Sequence, residues 1–198
     1  YALLVACIVL ALYSKSVFTN WRDPNAAAAC MESLRPFFIS FSGSGGGGFL
    51  PEVVRGEVWR LFTPMFIHFS LGHIIFNMLW LFQLGSMIES MQGTLKFALL
   101  VVAFALVSAL AQYSLSSPFF GGMSGVNYGL IGYVWFRGKF DPASGLHLDK
   151  QSVVLSIVWF FLCFTGWVGP IANWAHSAGL ALGMACGWAS AKWSLRRL

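Results

Sequence analysis

Charged side chains are scarce in this sequence. Asp, Glu, Lys and Arg make up 10% of the 198 residues, whereas hydrophobic residues make up 58%, and the mean hydropathy is +0.72. A soluble domain carries about 25% charged residues. The composition therefore excludes an ordinary soluble protein and indicates an integral protein of the lipid bilayer.

Cysteines are few, and their spacing carries no ligand pattern. None of the four belongs to a CxxC or a Cys/His pair, and three lie inside apolar runs: Cys7, Cys30, Cys163 and Cys186. This pattern predicts neither a disulfide framework nor a metal site. We accordingly expect a protein without a metal or other cofactor.

A basic cluster of the kind that binds nucleic acid is also missing, although the net charge is +5. Cytoplasmic loops of membrane proteins carry an excess of Lys and Arg. With a cytoplasmic C-terminus, seven basic residues fall on that side: Lys96, Arg137, Lys139, Lys150, Lys192, Arg196 and Arg197. Five fall on the other side, partly offset by acidic residues: Lys15, Arg22, Arg35, Arg55 and Arg60. We therefore predict a cytoplasmic C-terminus and no nucleic-acid partner.

Long apolar runs dominate what is present. They lie near 1–18, 71–88, 94–113, 123–136, 152–168 and 172–191. Helices satisfy their own backbone hydrogen bonds in lipid, so the runs predict one all-α membrane domain over 1–198 with six spans. The first run has the alternative of a signal-peptide core, but five further runs favour a span. The chain begins at Tyr1 rather than Met, which leaves room for an upstream segment.

The first loop, 19–70, is the one long connection, and 192–198 is the predicted cytoplasmic tail. A tract from Ser42 to Gly48 reads SGSGGGG, which is flexible by composition. The aromatic and Arg residues that follow are typical of structure at the headgroup level. We therefore expect a long structured first loop with a flexible insert.

Ser124 stands between glycines, in Gly122-Met123-Ser124-Gly125, at the head of an apolar run whose first charge is Arg137. A helix of this length spans roughly 20 Å, against a hydrocarbon core of about 30 Å. If Arg137 marks one surface, Ser124 lies about 10 Å below the other. A Ser at a helix start is usually a cap, but a hydroxyl at this depth indicates a nucleophile.

Three further polar residues lie at the same depth. His73 and Asn77 are four residues apart and share a helix face, and His176 begins the sixth run. At about 1.5 Å per residue, all four polar groups lie about 18–24 Å from the cytoplasmic ends of their helices. Each alone has an ordinary structural explanation, but together they favour catalysis. No Asp or Glu shares the layer, so the pattern predicts a Ser–His dyad.

Glycine spacing predicts how the layer closes. Small residues recur every four positions in the sixth run (Ala175, Gly179, Gly183, Gly187) and in the fourth (Gly121, Gly125, Gly129). Such rows let helix backbones approach closely in a membrane. A packing role alone explains these glycines, but it leaves Ser124 and His176 without an explanation.

The ordered motifs resemble those of the rhomboid intramembrane serine proteases, most closely the bacterial six-helix branch. The match runs from Trp59 onward: Trp59-Arg60, HxxxxHxxxN (His68, His73, Asn77), Glu89, GxSG (Gly122 to Gly125), Tyr128 and AHxxG (Ala175, His176, Gly179). The resemblance implies a six-transmembrane-helix rhomboid bundle with a short central fourth helix.

The resemblance also implies roles. Ser124 would be the nucleophile, His176 the general base and acid, and His73, Asn77 and the Ser124 N–H the oxyanion donors. Tyr128 would stack on His176, and Trp59 and Arg60 would structure the first loop. Phe76 and Trp159 would form a lateral gate between spans two and five. His68, Glu89, Gly122, Gly125 and Gly179 would be structural.

The function that follows is endoproteolysis of membrane proteins whose transmembrane segments contain helix-weakening residues. The site would open toward the periplasm of a bacterial inner membrane, while the oligomeric state is left open. Two alternatives stay open at this stage. One is an inactive relative that binds membrane helices, and the other is a six-span transporter or channel with a polar path.

Overall fold

The computed structural model describes residues 1–41 and 48–196. Within them the chain is all-helical, with eight α-helices: α1 Ala2–Ser14, α2 Pro24–Leu34, α3 Pro51–Val54, α4 Leu71–Gln92, α5 Thr94–Leu115, α6 Ser124–Phe140, α7 Lys150–Cys163 and α8 Asn173–Leu195. Four short 3₁₀ turns lie at Arg35–Phe37, Val58–Leu61, Thr63–Phe66 and Pro142–Ser144.

The six apolar runs coincide with α1 and α4 to α8, but several ends differ from the prediction. α1 stops at Ser14 because Lys15 adopts a left-handed conformation, with φ of 55°. α7 stops at Cys163, ahead of the turns at Gly166 and Gly169, where φ is positive. α8 continues past 191 to Leu195. The predicted flexible tract at 42–47 and the end of the tail, 197–198, lie outside the described residues.

Two of the described helices have the length and composition to cross a bilayer. α4 and α5 contain 22 residues each, with mean hydropathy of 1.4 and 2.3. α1 and α7 are shorter apolar helices, and both expose large hydrophobic side chains, including Val9, Leu12, Leu155 and Phe161. Extended apolar surface of this kind suits contact with lipid. The chain is an all-α membrane protein, and the count of six spans remains a prediction.

α6 is the central helix of the bundle. It packs against α4, α5 and α8, and most of its 17 residues are buried. Buried aliphatic and aromatic residues from α4 and α5 surround it, among them Leu84, Ile88 and Phe104. The short helix is therefore held on several sides, which fixes the position of Ser124 at its start.

The described parts of the first loop, 19–41 and 48–70, are tied to each other by charged side chains. The Glu52 carboxylate accepts hydrogen bonds from the Ser40 hydroxyl at 2.7 Å and from the Phe41 N–H at 3.1 Å. Arg60, also buried, donates to the carbonyl oxygens of Arg35 and Phe38 at 2.7 and 2.8 Å. Charge-assisted hydrogen bonds of this kind are stronger than neutral ones. They hold the segment before α4 against the segment after α2.

Candidate active site

Ser124 is the first residue of α6, and the turn before it depends on glycine. Gly122 has φ of +128°, which side chains disfavour, and a Cβ there would lie 2.7 Å from His73 Nε2. The loop can therefore pass between His73 and Ser124 only with glycine at this position. The N–H groups of the first helical turn have no intrahelical acceptor. The serine thus combines a hydroxyl with a backbone donor and the positive end of a helix dipole.

His176 meets Ser124 across the interface between α6 and α8. Its Nε2 lies 2.7 Å from Ser124 Oγ, and the imidazole is 4% exposed. For Nε2 to accept the hydroxyl proton, the ring proton must reside on Nδ1. The two side chains therefore form a hydrogen-bonded pair that can pass a proton from serine to histidine.

Backbone contact between the two helices sets this distance. A Cβ on Gly179 would collide with the Gly125 carbonyl, and one on Gly183 would collide with the Gly129 carbonyl. Gly179 and Gly183 thus lie directly against Gly125 and Gly129 as predicted, whereas Gly121 packs against Ile67 instead. Because no side chain separates the helices, residues that follow the backbone closely, such as Ser124 and His176, are held with little freedom.

The far side of His176 has an aromatic neighbour in place of a carboxylate. The Tyr128 ring lies 4.8 Å from the imidazole, tilted by 39°, and the Tyr128 hydroxyl donates to the Ser156 carbonyl on α7 at 3.3 Å. Nδ1 of His176 has no hydrogen-bond partner among the described residues. The ring is therefore oriented by packing, and within the described residues Ser124 and His176 form a hydrogen-bonded pair.

Gln112, which the sequence analysis missed, fixes the start of α8. Its buried Oε1 accepts hydrogen bonds from the N–H groups of Trp174 and Ala175, at 3.1 and 3.2 Å. These are first-turn donors that a helix leaves unpaired. A side chain from α5 therefore acts as the cap that positions the residue next to His176. The sequence feature that could have indicated this role is the amide side chain of Gln112 near the end of the apolar run 94–113.

His73 lies beside the serine on α4. The Phe69 N–H donates to His73 Nδ1 over a long 3.5 Å, which favours the tautomer with its proton on Nε2. A Cβ built on Gly122 would lie 2.7 Å from His73 Nε2 and 3.5 Å from Ser124 Oγ. The edge of the His73 ring and the Ser124 hydroxyl therefore border the same small space beside Gly122.

Asn77 lies one turn below His73, and its amide is held from both ends. Nδ2 donates to the His73 carbonyl at 2.8 Å. Oδ1 accepts from Asn127 Nδ2 at 3.0 Å, and the same nitrogen lies 3.0 Å from the Asn77 carbonyl oxygen. Asn127 is on the first turns of α6, and the sequence analysis did not single it out.

The remaining motif residues lie around this centre. Trp59 donates to the Pro36 carbonyl at 3.1 Å and Arg60 makes the loop contacts described above. His68 is fully buried, with its ring 5.0 Å from that of His73, and burial lowers the pKa of His68 to about 3. Glu89 is partly buried near the far end of α4, away from the serine.

Phe76 and Trp159 face each other between α4 and α7. Their ring centroids lie 6.4 Å apart in a stacked arrangement, and the two residues are 65% and 46% exposed. These rings cross the seam between the helices near the level of Asn77. The pair predicted as a gate is thus in contact, on a surface open to the surroundings.

No group of three metal-ligating side chains occurs among residues 1–41 and 48–196. The histidines around Ser124 are accompanied there by amides and aromatic rings.

Comparison with known proteins gives a consistent result. The model of the Rhomboid domain matches residues 55–193. The chain is 46% identical over 134 residues to "Rhomboid protease GlpG" of Salmonella paratyphi A and of Salmonella choleraesuis, which covers 67% of this chain and 49% of each relative. The chain thus spans about half the length of the curated relatives it matches. With the family model extending over well more than half of the sequence, including α4 to α7 and both Ser124 and His176, this chain belongs to the rhomboid family.

Proposed function

We propose that this protein is an intramembrane serine endopeptidase with Ser124 as nucleophile and His176 as general base and acid. The observation that carries the proposal is the 2.7 Å contact between Ser124 Oγ and His176 Nε2 at the start of a buried helix. The names of the similar Salmonella proteins support the same reaction class. A buried hydroxyl–imidazole pair of this kind is the usual arrangement for an activated serine.

The reaction proceeds in two stages. His176 Nε2 takes the hydroxyl proton as Ser124 Oγ attacks a peptide carbonyl, and it then gives that proton to the leaving amine. Water next attacks the acyl-enzyme, with His176 again removing a proton, and Ser124 is regenerated. The Tyr128 ring, 4.8 Å from the imidazole, contributes to stabilising the imidazolium that forms.

The oxyanion that forms on the substrate is stabilised by three donors. They are the Ser124 backbone N–H, His73 Nε2 and the second N–H of the Asn77 amide. The proximity of His73 to Ser124 supports its part in this set, and the positive end of α6 adds to it. Removing one such donor typically lowers kcat by about 10²–10³.

The membrane arrangement follows from the helices and their charges. We propose six spans (α1 and α4 to α8) in a bacterial inner membrane, with the C-terminus in the cytoplasm and the site open to the periplasm. Arg137 and Lys139 in the last turn of α6 support this orientation. Ser124 would then lie about 10 Å below the periplasmic surface, by the rise per residue and the bilayer thickness.

The substrates are membrane proteins whose transmembrane segment unwinds readily. A backbone carbonyl inside a regular helix is already hydrogen-bonded and shielded, so the segment must open before Ser124 can attack. Helix-weakening residues and a small residue at the cleaved bond lower that cost. The segment enters sideways between α4 and α7, past the Phe76 and Trp159 rings.

The test is cleavage of fluorescent single-span membrane proteins in proteoliposomes, with labelling by a fluorophosphonate. Ser124→Ala should abolish both, and His176→Ala should lower cleavage by more than about 10³-fold, since dyad members act as a unit. Ser90→Ala is the matched control, because Ser90 is exposed at the other end of α4. Helix content by circular dichroism should be the same in all variants.

The outcomes separate the alternatives. Cleavage that persists in Ser124→Ala preparations freed of contaminating protease would refute the dyad. Binding of membrane segments without cleavage or labelling would identify an inactive relative. Solute flux across the liposome membrane without proteolysis would point to a transporter or channel.

A further inference from the structure

Asn127 is a buried residue that belongs to none of the motifs around Ser124. It is 3% exposed, on the first turns of α6. Its side-chain nitrogen donates to both oxygens of Asn77, the backbone carbonyl and Oδ1, each at 3.0 Å. A buried amide is costly unless its hydrogen bonds are made.

The two backbone carbonyls fix the orientation of both amides. Asn127 must direct its nitrogen at the Asn77 carbonyl, since an oxygen there would face another oxygen. The same nitrogen then requires Oδ1, rather than Nδ2, on the near side of the Asn77 amide. At the opposite end, Asn77 Nδ2 is directed at the His73 carbonyl. The assignment of both amides therefore follows from the hydrogen-bond network.

This arrangement satisfies only part of the hydrogen-bonding capacity of the Asn127 amide. Its own Oδ1 is buried without a partner among the described residues, which carries a desolvation cost. An apolar side chain of similar size would fill the same space without that cost. The residue is thus better explained by what its two hydrogen bonds do to Asn77 than by packing.

We propose that Asn127 is a positioning residue for the oxyanion site: it locks the Asn77 amide so that a free N–H, and never Oδ1, faces the reacting carbonyl. This inference rests on the proposed function. Without the lock, rotation of the Asn77 amide by 180° places a carbonyl oxygen next to the developing negative charge. Such a rotation changes an attractive contact in the transition state into a repulsive one.

The effect should fall on kcat rather than on KM, because the oxyanion exists only in the transition state. Asn127→Leu removes both hydrogen bonds while nearly keeping the volume. We expect kcat to fall about 10-fold, less than the ~10²-fold expected for Asn77→Ala, because Asn77 still adopts the productive orientation part of the time. KM should change less than about twofold.

The decisive experiment is a double-mutant cycle in proteoliposomes with wild type, Asn127→Leu, Asn77→Ala and the double variant. Once Asn77 is removed, Asn127 has nothing left to position, so the double variant should match Asn77→Ala in kcat. Fluorophosphonate labelling rates should follow the same pattern, since the phosphonyl oxygen occupies the oxyanion position. Asn127→Ala provides a second variant should the leucine fail to fold.

Tyr133→Phe is the matched control. The Tyr133 hydroxyl also joins α6 to α4, by donating to Gln92 Oε1 at 2.7 Å, but at the other end of the helices. It should lower thermal stability as much as Asn127→Leu does and leave kcat within about twofold, as expected for distant sites.

Additive losses of kcat in the double variant, or a loss in Tyr133→Phe equal to that in Asn127→Leu, would overturn the positioning role. An unchanged kcat in Asn127→Leu would overturn it as well. A wild-type protein that neither cleaves nor is labelled would refute the proposed function and this inference together. Active wild type with additive losses refutes this inference alone.

Discussion

At the scale of single residues, the candidate site is built from amides and imidazoles that neighbouring groups orient. The Phe69 N–H donates to His73 Nδ1. Asn127 Nδ2 donates to Asn77 Oδ1, and Asn77 Nδ2 donates to the His73 carbonyl. His176 is held by the Tyr128 ring. A buried carboxylate would bring a charge that needs its own partners in the bilayer. Neutral donors avoid that cost and still present directed N–H groups to a developing charge.

His68 should make stability depend on pH. Burial is the main cause that lowers its folded-state pKa to about 3, with the nearby His73 next, against 6.5 for an ordinary histidine. The unfolded chain therefore binds the proton more readily, so stability is full above about pH 6.5 and falls as the pH drops toward 3. We expect the melting temperature in detergent to decline over this range, and to decline less steeply in His68→Gln.

His147 is the control for this measurement, because it is exposed in the loop before α7. His147→Gln should keep the wild-type slope. If His68→Gln also keeps it, the acid sensitivity arises elsewhere and the neutral state of His68 contributes nothing.

Sequence spacing predicted the residues proposed to carry the chemistry, but not the residues that hold them in place. Ser124, His73, Asn77 and His176 could be placed in one layer because the rise of a helix converts residue counts into depth. Asn127 and Gln112 could not, since their partners lie 50 to 63 residues away. Only the packing of α6 on α4 and of α5 on α8 brings each residue to its partner. Local periodicity does not predict which residue will contact a given side chain far away in the sequence.

At the scale of helices, the contact between α6 and α8 sets the geometry. Gly179→Ala inserts a methyl group where a Cβ would collide with the Gly125 carbonyl. Overpacking of this kind costs about 1–3 kcal/mol. We expect a melting temperature several degrees lower and a large loss of cleavage, because Ser124 and His176 are pushed apart.

Gly72→Ala is the matched comparison, as an added Cβ there would contact nothing within 4 Å. It lies in a helix, where alanine is favoured over glycine by about 1 kcal/mol. Its melting temperature should equal or exceed that of the wild type. A Gly179→Ala protein as stable and active as Gly72→Ala would show that the helices separate without consequence.

Substitutions at the seam between α4 and α7 should raise cleavage, in contrast to Gly179→Ala, which should lower it. Trimming Phe76 and Trp159 to smaller residues removes a stacked pair that bridges these helices, so thermal stability should fall, as lost aromatic packing does. Cleavage of a transmembrane substrate should rise, since the opening widens. A folded double variant that is no faster, or a disulfide across the seam that leaves cleavage at its normal rate, would contradict lateral entry.

Helix positions were predictable where the apolar runs were long, and less so elsewhere. The runs located α1 and α4 to α8, but α2 was missed because its alanines lie within a polar loop. Its start carries a local signal nonetheless, since Asp23 accepts a hydrogen bond from the Asn25 N–H and Pro24 occupies the first helical position. Helix ends at residues with positive φ, such as the end of α1 at Lys15, depend on tertiary context rather than on composition.

At the scale of the whole molecule, catalysis should be independent of metal ions. The described residues hold no group of three metal ligands, and the proposed chemistry uses the protein's own donors. Activity in proteoliposomes should be unchanged by EDTA or 1,10-phenanthroline at concentrations that strip zinc enzymes. Inhibition that a divalent cation reverses would place a metal in the reaction.

The pairing of α6 with α8 also orders events during synthesis. Ser124 is added to the growing chain 52 residues before His176. At about 5–20 residues per second, the interval between them is roughly 3–10 s. Throughout this interval the nascent chain carries the Ser124 hydroxyl without His176, its proposed base. In the folded protein Gly125 and Gly129 fit against Gly179 and Gly183, so we expect the pair to form only after α8 has docked. Under the proposed function, membrane segments that leave the same translocon should therefore not be hydrolysed before that point.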